Sequence, residues 1–564
     1  MTKICRCFFP LSFFVLNSTS LFAQQNNFWA SVNEPNVEKN LFDNRLKPSA
    51  YKLFHLNDAA FKLNLAGVPS EKTVSVSNSF FVVSFPNAEG LLEQYKVVEA
   101  PVMHPDLAAK YPGIKSYAGA CIENPGSIIR FDVSPQGFHG MILSANRNTI
   151  YIDPLDTKNN YYMVVERKDL MNDQPVFNCL TTAKIHTENN SDRTAAVQDA
   201  DDGKLRIYRL ALCASGEFSK FYLNGTETTD AQRKAKVLAA QNSHMTRANA
   251  IFERDLGVRL VLVANNDAVI FLDPVTDPWG DLNSATQTTC DNIIGDANYD
   301  IGHLEHKANN DGNAGCIACA CVSGSKGSGF TSYSNPSLLE FFVVDYLSHE
   351  LGHQLGASHT FTHTNEGTNV QIEPGSGVTI MGYAGITGAT DVQPHSDAYF
   401  HSKSIEQISN YIKTGGGASC AQVTVTGNTA PTANAGADYI IPNSTPFKLT
   451  GSGTDIDAGD ILTYNWEQID NMAIGSSTIP IATATAGPQF RPYLPTTSSS
   501  RTIPEINSIL NGTNVNTWEV LPSVARVLNF RFIVRDNHPS AGNDKSDDMV
   551  LTISGSSGPF AVSA

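Results

Sequence analysis

The segment His349-Glu350-Leu351-Gly352-His353-Gln354-Leu355-Gly356-Ala357-Ser358-His359 constrains this chain more than any other part of its sequence. It reads H-E-x-x-H-x-x-G-x-x-H. With 14 histidines and 41 glycines in 564 residues, its chance occurrence is on the order of a few in 10⁵, so the spacing is read as chemistry. His349 and His353 stand one helical turn apart on one face and can grip one ion. Glu350 is turned about 100° from His349, at the edge of that face, where it can reach a metal-bound water without ligating the metal. The helix must then stop, and Gly356 can stop it, because glycine accepts the left-handed conformation that reverses a chain. His359 returns as the third ligand. Three protein ligands leave the fourth tetrahedral position to water, which is the arrangement of a catalytic zinc. Zinc lowers the pKa of that water to about 7, and Glu350 can take its proton and pass it to a leaving amine. The plainer alternative is a core helix whose histidines are hydrogen-bonded bystanders.

Leu338, Leu339, Phe341, Phe342, Val343, Val344, Tyr346 and Leu347 form a nearly continuous apolar run ahead of the motif. They predict a buried central helix that starts near Ser334 or Asn335-Pro336 and runs to about Leu355. Downstream, Met381 lies 22 residues after His359 in Thr379-Ile380-Met381-Gly382-Tyr383. Together these residues resemble the metzincin clan of zinc endopeptidases, and most of all its reprolysin (adamalysin-like) branch in bacterial form. The resemblance implies that Met381 is the Met-turn methionine, an apolar floor beneath the ligands; a plain core methionine is the alternative. Tyr383 resembles the position that the astacin and serralysin branches use for a mobile tyrosine near the metal, a transition-state or switch group; a packed aromatic is the alternative. Strand-prone 205–214, a helical pattern over 229–256 and strand-prone 258–264 precede two further segments, 299–303 and 312–316. These last two resemble the strands ahead of the active-site helix in reprolysins, the second being the edge against which a peptide substrate lies. One departure stands out. Reprolysins usually carry Asp directly after the third histidine, and this chain has Thr360, which leaves the branch open.

The flanks say where such an enzyme would work. Lys3 and Arg6 precede an apolar stretch ending at Ser20-Leu21-Phe22-Ala23, which reads as a signal peptide cut after Ala23. No segment offers a membrane span. Net charge is −16 with no basic cluster, which argues against nucleic acid as a partner. Cys5 and Cys7 leave with the signal peptide, and six cysteines (213, 290, 316, 319, 321 and 420) sit inside the expected catalytic domain. Three disulfides are the expected use in an exported chain, with Cys316, Cys319 and Cys321 as a metal cluster the alternative.

The expected organisation is a signal peptide (1–23), a mostly β propeptide domain and linker (24–203), an α/β (α+β) metzincin catalytic domain (204–420) and an immunoglobulin-like β-sandwich (430–556). Strand-prone stretches at 74–85, 127–133, 141–144 and 149–152 mark the propeptide, and the polar stretch 187–203 offers a cleavage site, with Arg193-Thr194 one candidate. Reprolysin propeptides silence the zinc with a cysteine; here Cys121 or Cys179 is the candidate. The alternatives are a disulfide between them or free buried thiols. The last region resembles polycystic-kidney-disease-type immunoglobulin-like domains, with Trp466 in the core. Its Asp455, Asp457, Asp460 and Asp536 make calcium a candidate second cation, against ordinary turn chemistry. A strand-like run begins just before Ala564, so a truncated gene fragment is expected. His363, His395 and His401 are read as structural, and His303 and Glu305 receive no role.

The function expected is a secreted zinc-dependent endopeptidase made as a proenzyme, with protein or peptide substrates. The competing class is an inactive surface-binding or adhesion protein that uses its immunoglobulin-like region. Oligomeric state and cleavage preference are not legible, since 360–379 is rich in Gly, Thr and Asn and gives no size or charge argument.

Overall fold

The computed structural model describes residues 27–33, 48–156, 158, 160–170, 177–182, 198–335, 340–513, 515–539 and 541–560. The leader-like 1–23 and the candidate cut at Arg193-Thr194 lie outside them.

The amino-terminal region is a nine-stranded sheet, antiparallel throughout, with Trp29–Ser31 at one edge and Val82–Pro86 at the other. Alternation along Ser127–Ser134 explains its two faces. Ile129, Phe131 and Val133 enter an aromatic cluster with Trp29, Phe61, Phe85 and Phe138. Arg130 and Asp132 turn the other way, onto the long helix Asp230–Leu256: Arg130 pairs with Glu253, and Ser243 donates to Asp132 at 2.8 Å. The first face thus makes this region's own core, and the second docks it.

The central region is built on a sheet ordered Asn178–Cys179, Asp311–Asn313, Gly329–Ser332, Ile301–His306, Lys204–Ala214, Val258–Leu262. Lys204–Ala214 pairs in parallel with both neighbours, and Gln422–Val425 adds antiparallel to its start. The helix Asp230–Leu256 makes the crossover. Thr229 and Gln232 close a capping box at its start, and Gly257 ends it with φ 58°. Asp311–Asn313 runs antiparallel to Gly329–Ser332, a strand that the sequence reading did not anticipate, and is shorter than the 312–316 segment it suggested.

The expected start of the central helix at Asn335-Pro336 falls partly outside the described residues. Ser334 and Asn335 are not helical, and helix is present from Glu340. Phe341–Leu347 is wound in wider π turns, and Ser348–Gln354 continues it as regular α-helix. All of 341–354 is buried, as its apolar run demands. Two disulfides form, Cys316–Cys319 and Cys321–Cys420. Cys213 and Cys290 face each other with sulfurs 3.7 Å apart, and Cys121 and Cys179 are free thiols rather than a pair.

The carboxy-terminal region has a four-stranded sheet ordered Tyr439–Pro442, Asp544–Ser554, Arg526–Arg535, Thr463–Gln468, and a two-stranded one of Phe447–Thr450 and Ser500–Ile503. Leu449, Trp466, Phe490, Phe530 and Phe532 fill its core. It docks on the central region through buried charge: Arg535 lies 3.4 Å from Asp255 and donates to the Phe400 carbonyl at 2.9 Å. No helix among the described residues is long and apolar enough to cross a membrane.

Candidate metal centre

The helix Ser348–Gln354 sets His349 and His353 on one face, and the turn after it returns His359. Gly356 makes that turn at φ 116°, where a side chain would be strained. The three Nε2 atoms then stand 3.0 to 3.2 Å from one another. Tetrahedral zinc with Zn–N of about 2.0–2.1 Å would separate them by about 3.3 Å, so the triangle has the size of a zinc face.

The tautomers decide what that triangle is for. His349 Nδ1 lies 2.7 Å from the Ile380 carbonyl, His353 Nδ1 2.7 Å from the Ala357 carbonyl, and His359 Nδ1 2.9 Å from the Glu366 carboxylate. Carbonyl and carboxylate oxygens only accept, so each Nδ1 carries the proton and each Nε2 presents a lone pair. Burial and the neighbouring imidazoles hold His349 down to about 3 and His353 well below the ordinary histidine range, so these rings are neutral. Three lone pairs converging at 3 Å have no proton to share among themselves. A cation is what they fit.

Met381 lies fully buried beneath the helix. A Cβ on Gly352 would stand 2.7 Å from its sulfur, so only glycine lets the methionine lie this close. Tyr383 Oη is 3.1 Å from His359 Nε2. Burial, with Cys179 and Glu350 nearby, holds its phenol far above the ordinary tyrosine range, and the hydroxyl stays protonated.

The open face of the triangle is covered by the amino-terminal region. Asn178–Cys179 pairs in parallel with the edge strand Asp311–Asn313, and Leu180 N donates to the Gly312 carbonyl at 2.7 Å. This sets Cys179 Sγ 3.7 Å from His353 Nε2, in one group with the three histidine nitrogens within 4.8 Å. Thr181 Oγ1 donates to Glu350 Oε2 at 2.9 Å, while Glu350 Oε1 is buried without a partner. Burial pushes the Glu350 carboxyl up to about 8 against the hydrogen bonds it accepts. Cys121 is elsewhere, buried in the aromatic cluster of the nine-stranded sheet.

Residues 205–412 match the family model for Metallo-peptidase family M12B, Reprolysin-like. This region is a metallopeptidase domain, and the match encloses all three histidines, Glu350, Met381 and Tyr383. The comparison with curated proteins found no match.

Several side chains that matter to the centre were not legible beforehand. Glu366 anchors His359. Gln371 holds Glu366 in turn, its Oε1 accepting from Glu366 N at 2.7 Å. Glu373, fully buried, accepts from Thr360 Oγ1 at 2.5 Å, from Val378 N at 2.7 Å, and from Thr379 through both its hydroxyl and its N–H. Glu373, 13 residues after Thr360 in sequence, thus ties the segment after His359 to Val378 and Thr379 ahead of Met381. No spacing rule marks an acid whose partners are set by a loop's path. His363 bonds Thr390, His395 lies by Asp345, and His401 caps Ser402–Lys413, so none of them joins the triangle.

Proposed function

We propose that this chain is a zinc-dependent endopeptidase, exported and made latent, whose cleft is closed by its own amino-terminal region. The observation that carries this reading is the triangle of deprotonated Nε2 atoms, each fixed from behind through Nδ1. His349, His353 and His359 are the ligands; zinc, when bound, supplies a Lewis acid that polarises a carbonyl and acidifies water. Glu350 holds the proton taken from water and returns it to the leaving amine. The Tyr383 hydroxyl, protonated and beside His359, is placed to donate to charge that develops on the substrate oxygen. Met381 supports the ligands from below. The Asp311–Asn313 edge offers its backbone to an extended peptide once Asn178–Cys179 leaves it.

Latency follows from the same contacts, since Cys179 stands where the fourth ligand would be and Thr181 occupies Glu350. Export is supported by the leader-like 1–23 and by the disulfides. Glu350→Gln in the matured protein should lower peptide hydrolysis by about 10²–10⁴ while zinc stays bound. Wild-type-like hydrolysis in that variant, or hydrolysis indifferent to a zinc chelator, would sink the mechanism; absence of hydrolysis in the wild type would favour the adhesion reading.

We assign calcium to the carboxy-terminal region. Asp455, Asp460 and Asp536 bring carboxylate oxygens within 4.8 Å of one another, and Asp455 Oδ2 and Asp460 Oδ2 lack hydrogen-bond partners. Asp457, the fourth acid, accepts instead from Thr429 N. Burial and mutual repulsion push Asp460 up to about 8, and burial pushes Asp536 up to about 7. Without a cation the folded state therefore binds protons that the unfolded chain has lost, and stability should fall as pH rises from about 4 to 8. Millimolar calcium should flatten that fall in a thermal-melt series; an identical pH profile with calcium and with chelator refutes the assignment.

A further inference from the structure

The cavity beside the zinc ligands contains a carboxylate whose counter-ion belongs to the amino-terminal region. Asp345, Tyr346 and His349 on the helix, Ile386 after the Met-turn, Ser396 and Phe177 line it. Asp345 precedes His349 by four residues, one turn back along the helix on the same face. Its side chain is only 6 % exposed. Arg167, equally buried, pairs with it through Nη2 and donates from Nε to the Ser396 carbonyl at 2.6 Å. Its Nη1 is held by the Tyr151 hydroxyl at 3.0 Å and the Glu340 carbonyl at 3.4 Å. Phe177, two residues before Cys179, stacks on Tyr346 with ring centroids 3.9 Å apart.

Arg167, Phe177, Cys179 and Thr181 all come from the region that must leave for the cleft to open. What stays behind is a carboxylate that has lost its guanidinium, in a cavity still lined by Tyr346, His349, Ile386 and Ser396. Among the described ion pairs of Asp345, the only other cationic candidate is His395, with Nδ1 at 3.7 Å. Burial, with Arg167 beside it, holds His395 below the ordinary histidine range in this form. A carboxylate that lines a cavity and is stripped of its guanidinium favours an incoming cation. Lysine and arginine are the side chains that carry one on a stem long enough to reach it.

We propose that Asp345 makes this pocket a receptor for a lysine or arginine side chain of the substrate, adjacent to the scissile bond, and that Arg167 holds the same place in the latent form. This rests on the peptidase reading above.

The test uses the full-length protein carried through its own maturation. Its substrates are peptides of one sequence in which each position in turn is arginine, citrulline or leucine. Citrulline keeps the length and shape of arginine and removes its charge. Mass spectrometry reads the sites, and progress curves give kcat/KM. At one position next to the cleaved bond, kcat/KM should fall at least about tenfold from arginine to citrulline. Asp345→Asn should bring that ratio close to one with zinc content unchanged. Equal cleavage of arginine and citrulline peptides by the wild type overturns the inference and leaves the metallopeptidase reading standing. If no peptide is cleaved, the hydrolase reading falls instead, and binding then decides the pocket. The full-length Arg167→Ala variant should gain thermal stability from methylguanidinium and not from methylurea, whereas an equal response to both refutes the role of Asp345.

Discussion

Two regions reach the metal centre from outside the metallopeptidase domain, and they do so in opposite ways. The amino-terminal region places Cys179 among the ligand nitrogens, Thr181 on Glu350 and Phe177 on Tyr346. Under the proposed mechanism the first two occupy groups that catalysis would need free, and the third fills the cavity beside them. The carboxy-terminal region touches none of those groups. It reaches the loop behind His359: Asn471 Oδ1 accepts from Gln371 N at 2.8 Å, Met472 N donates to the Gln371 carbonyl at 2.8 Å, and Gly375 N donates to the Thr478 carbonyl at 3.0 Å. One region occupies the site and the other braces it. The first should therefore act as an inhibitor and the second as part of the enzyme, although both are mostly β and both dock through buried arginines.

The largest effect expected lies on the inhibitory side. Cys179→Ala in the full-length chain removes the sulfur from the triangle and leaves the nine-stranded sheet and its docking face untouched. Hydrolysis by the unprocessed protein should rise at least about tenfold, because the open form no longer competes with a covalently tethered ligand. An unchanged rate in protein shown by its mass to be uncleaved would mean that Cys179 is a bystander and that the strand pairing alone blocks the cleft.

How much of this contrast could be read from the chain alone depends on distance in sequence. The ligand triangle was legible because its members lie within eleven residues on one helix and one turn, where local geometry fixes relative position. Met381 was legible through a resemblance, and the long helix through its periodicity and caps. The cysteine beside the histidines could be narrowed only to Cys121 or Cys179, since nothing local tells which one a sheet edge will carry there. Arg167 on Asp345 and Asn471 on Gln371 were invisible for the same reason. Each joins segments whose approach is decided by how whole sheets dock, and a polar residue bound for such a contact looks like any other polar residue.

The bracing side is tested by zinc affinity in the matured protein, from which the inhibitory contact is gone. Glu366→Ala deprives His359 Nδ1 of its carboxylate, and loss of such an outer partner weakens metal binding by about 10–100-fold. Competition with a chromophoric chelator reads this in the matured protein without reference to turnover, and unchanged affinity would separate Glu366 from the centre.

Asn471→Ala is the smaller and sharper variant, because the residue belongs wholly to the carboxy-terminal region and lies three contacts from His359. It removes the acceptor of Gln371 N, and Gln371 in turn receives Glu366 N and donates to the Phe361 and Thr364 carbonyls. One buried hydrogen bond of about 1 kcal/mol corresponds to about a fivefold change when it is fully felt at the ligand. Zinc affinity in Asn471→Ala should therefore drop by about fivefold or less, and Asn471→Asp, which keeps the acceptor oxygen, should restore it. A loss of thermal stability in Asn471→Ala with zinc affinity unchanged would reduce the carboxy-terminal region to a neighbour that merely packs. Coupled loss of both, rescued together by aspartate, would make it a working part of the third ligand's support.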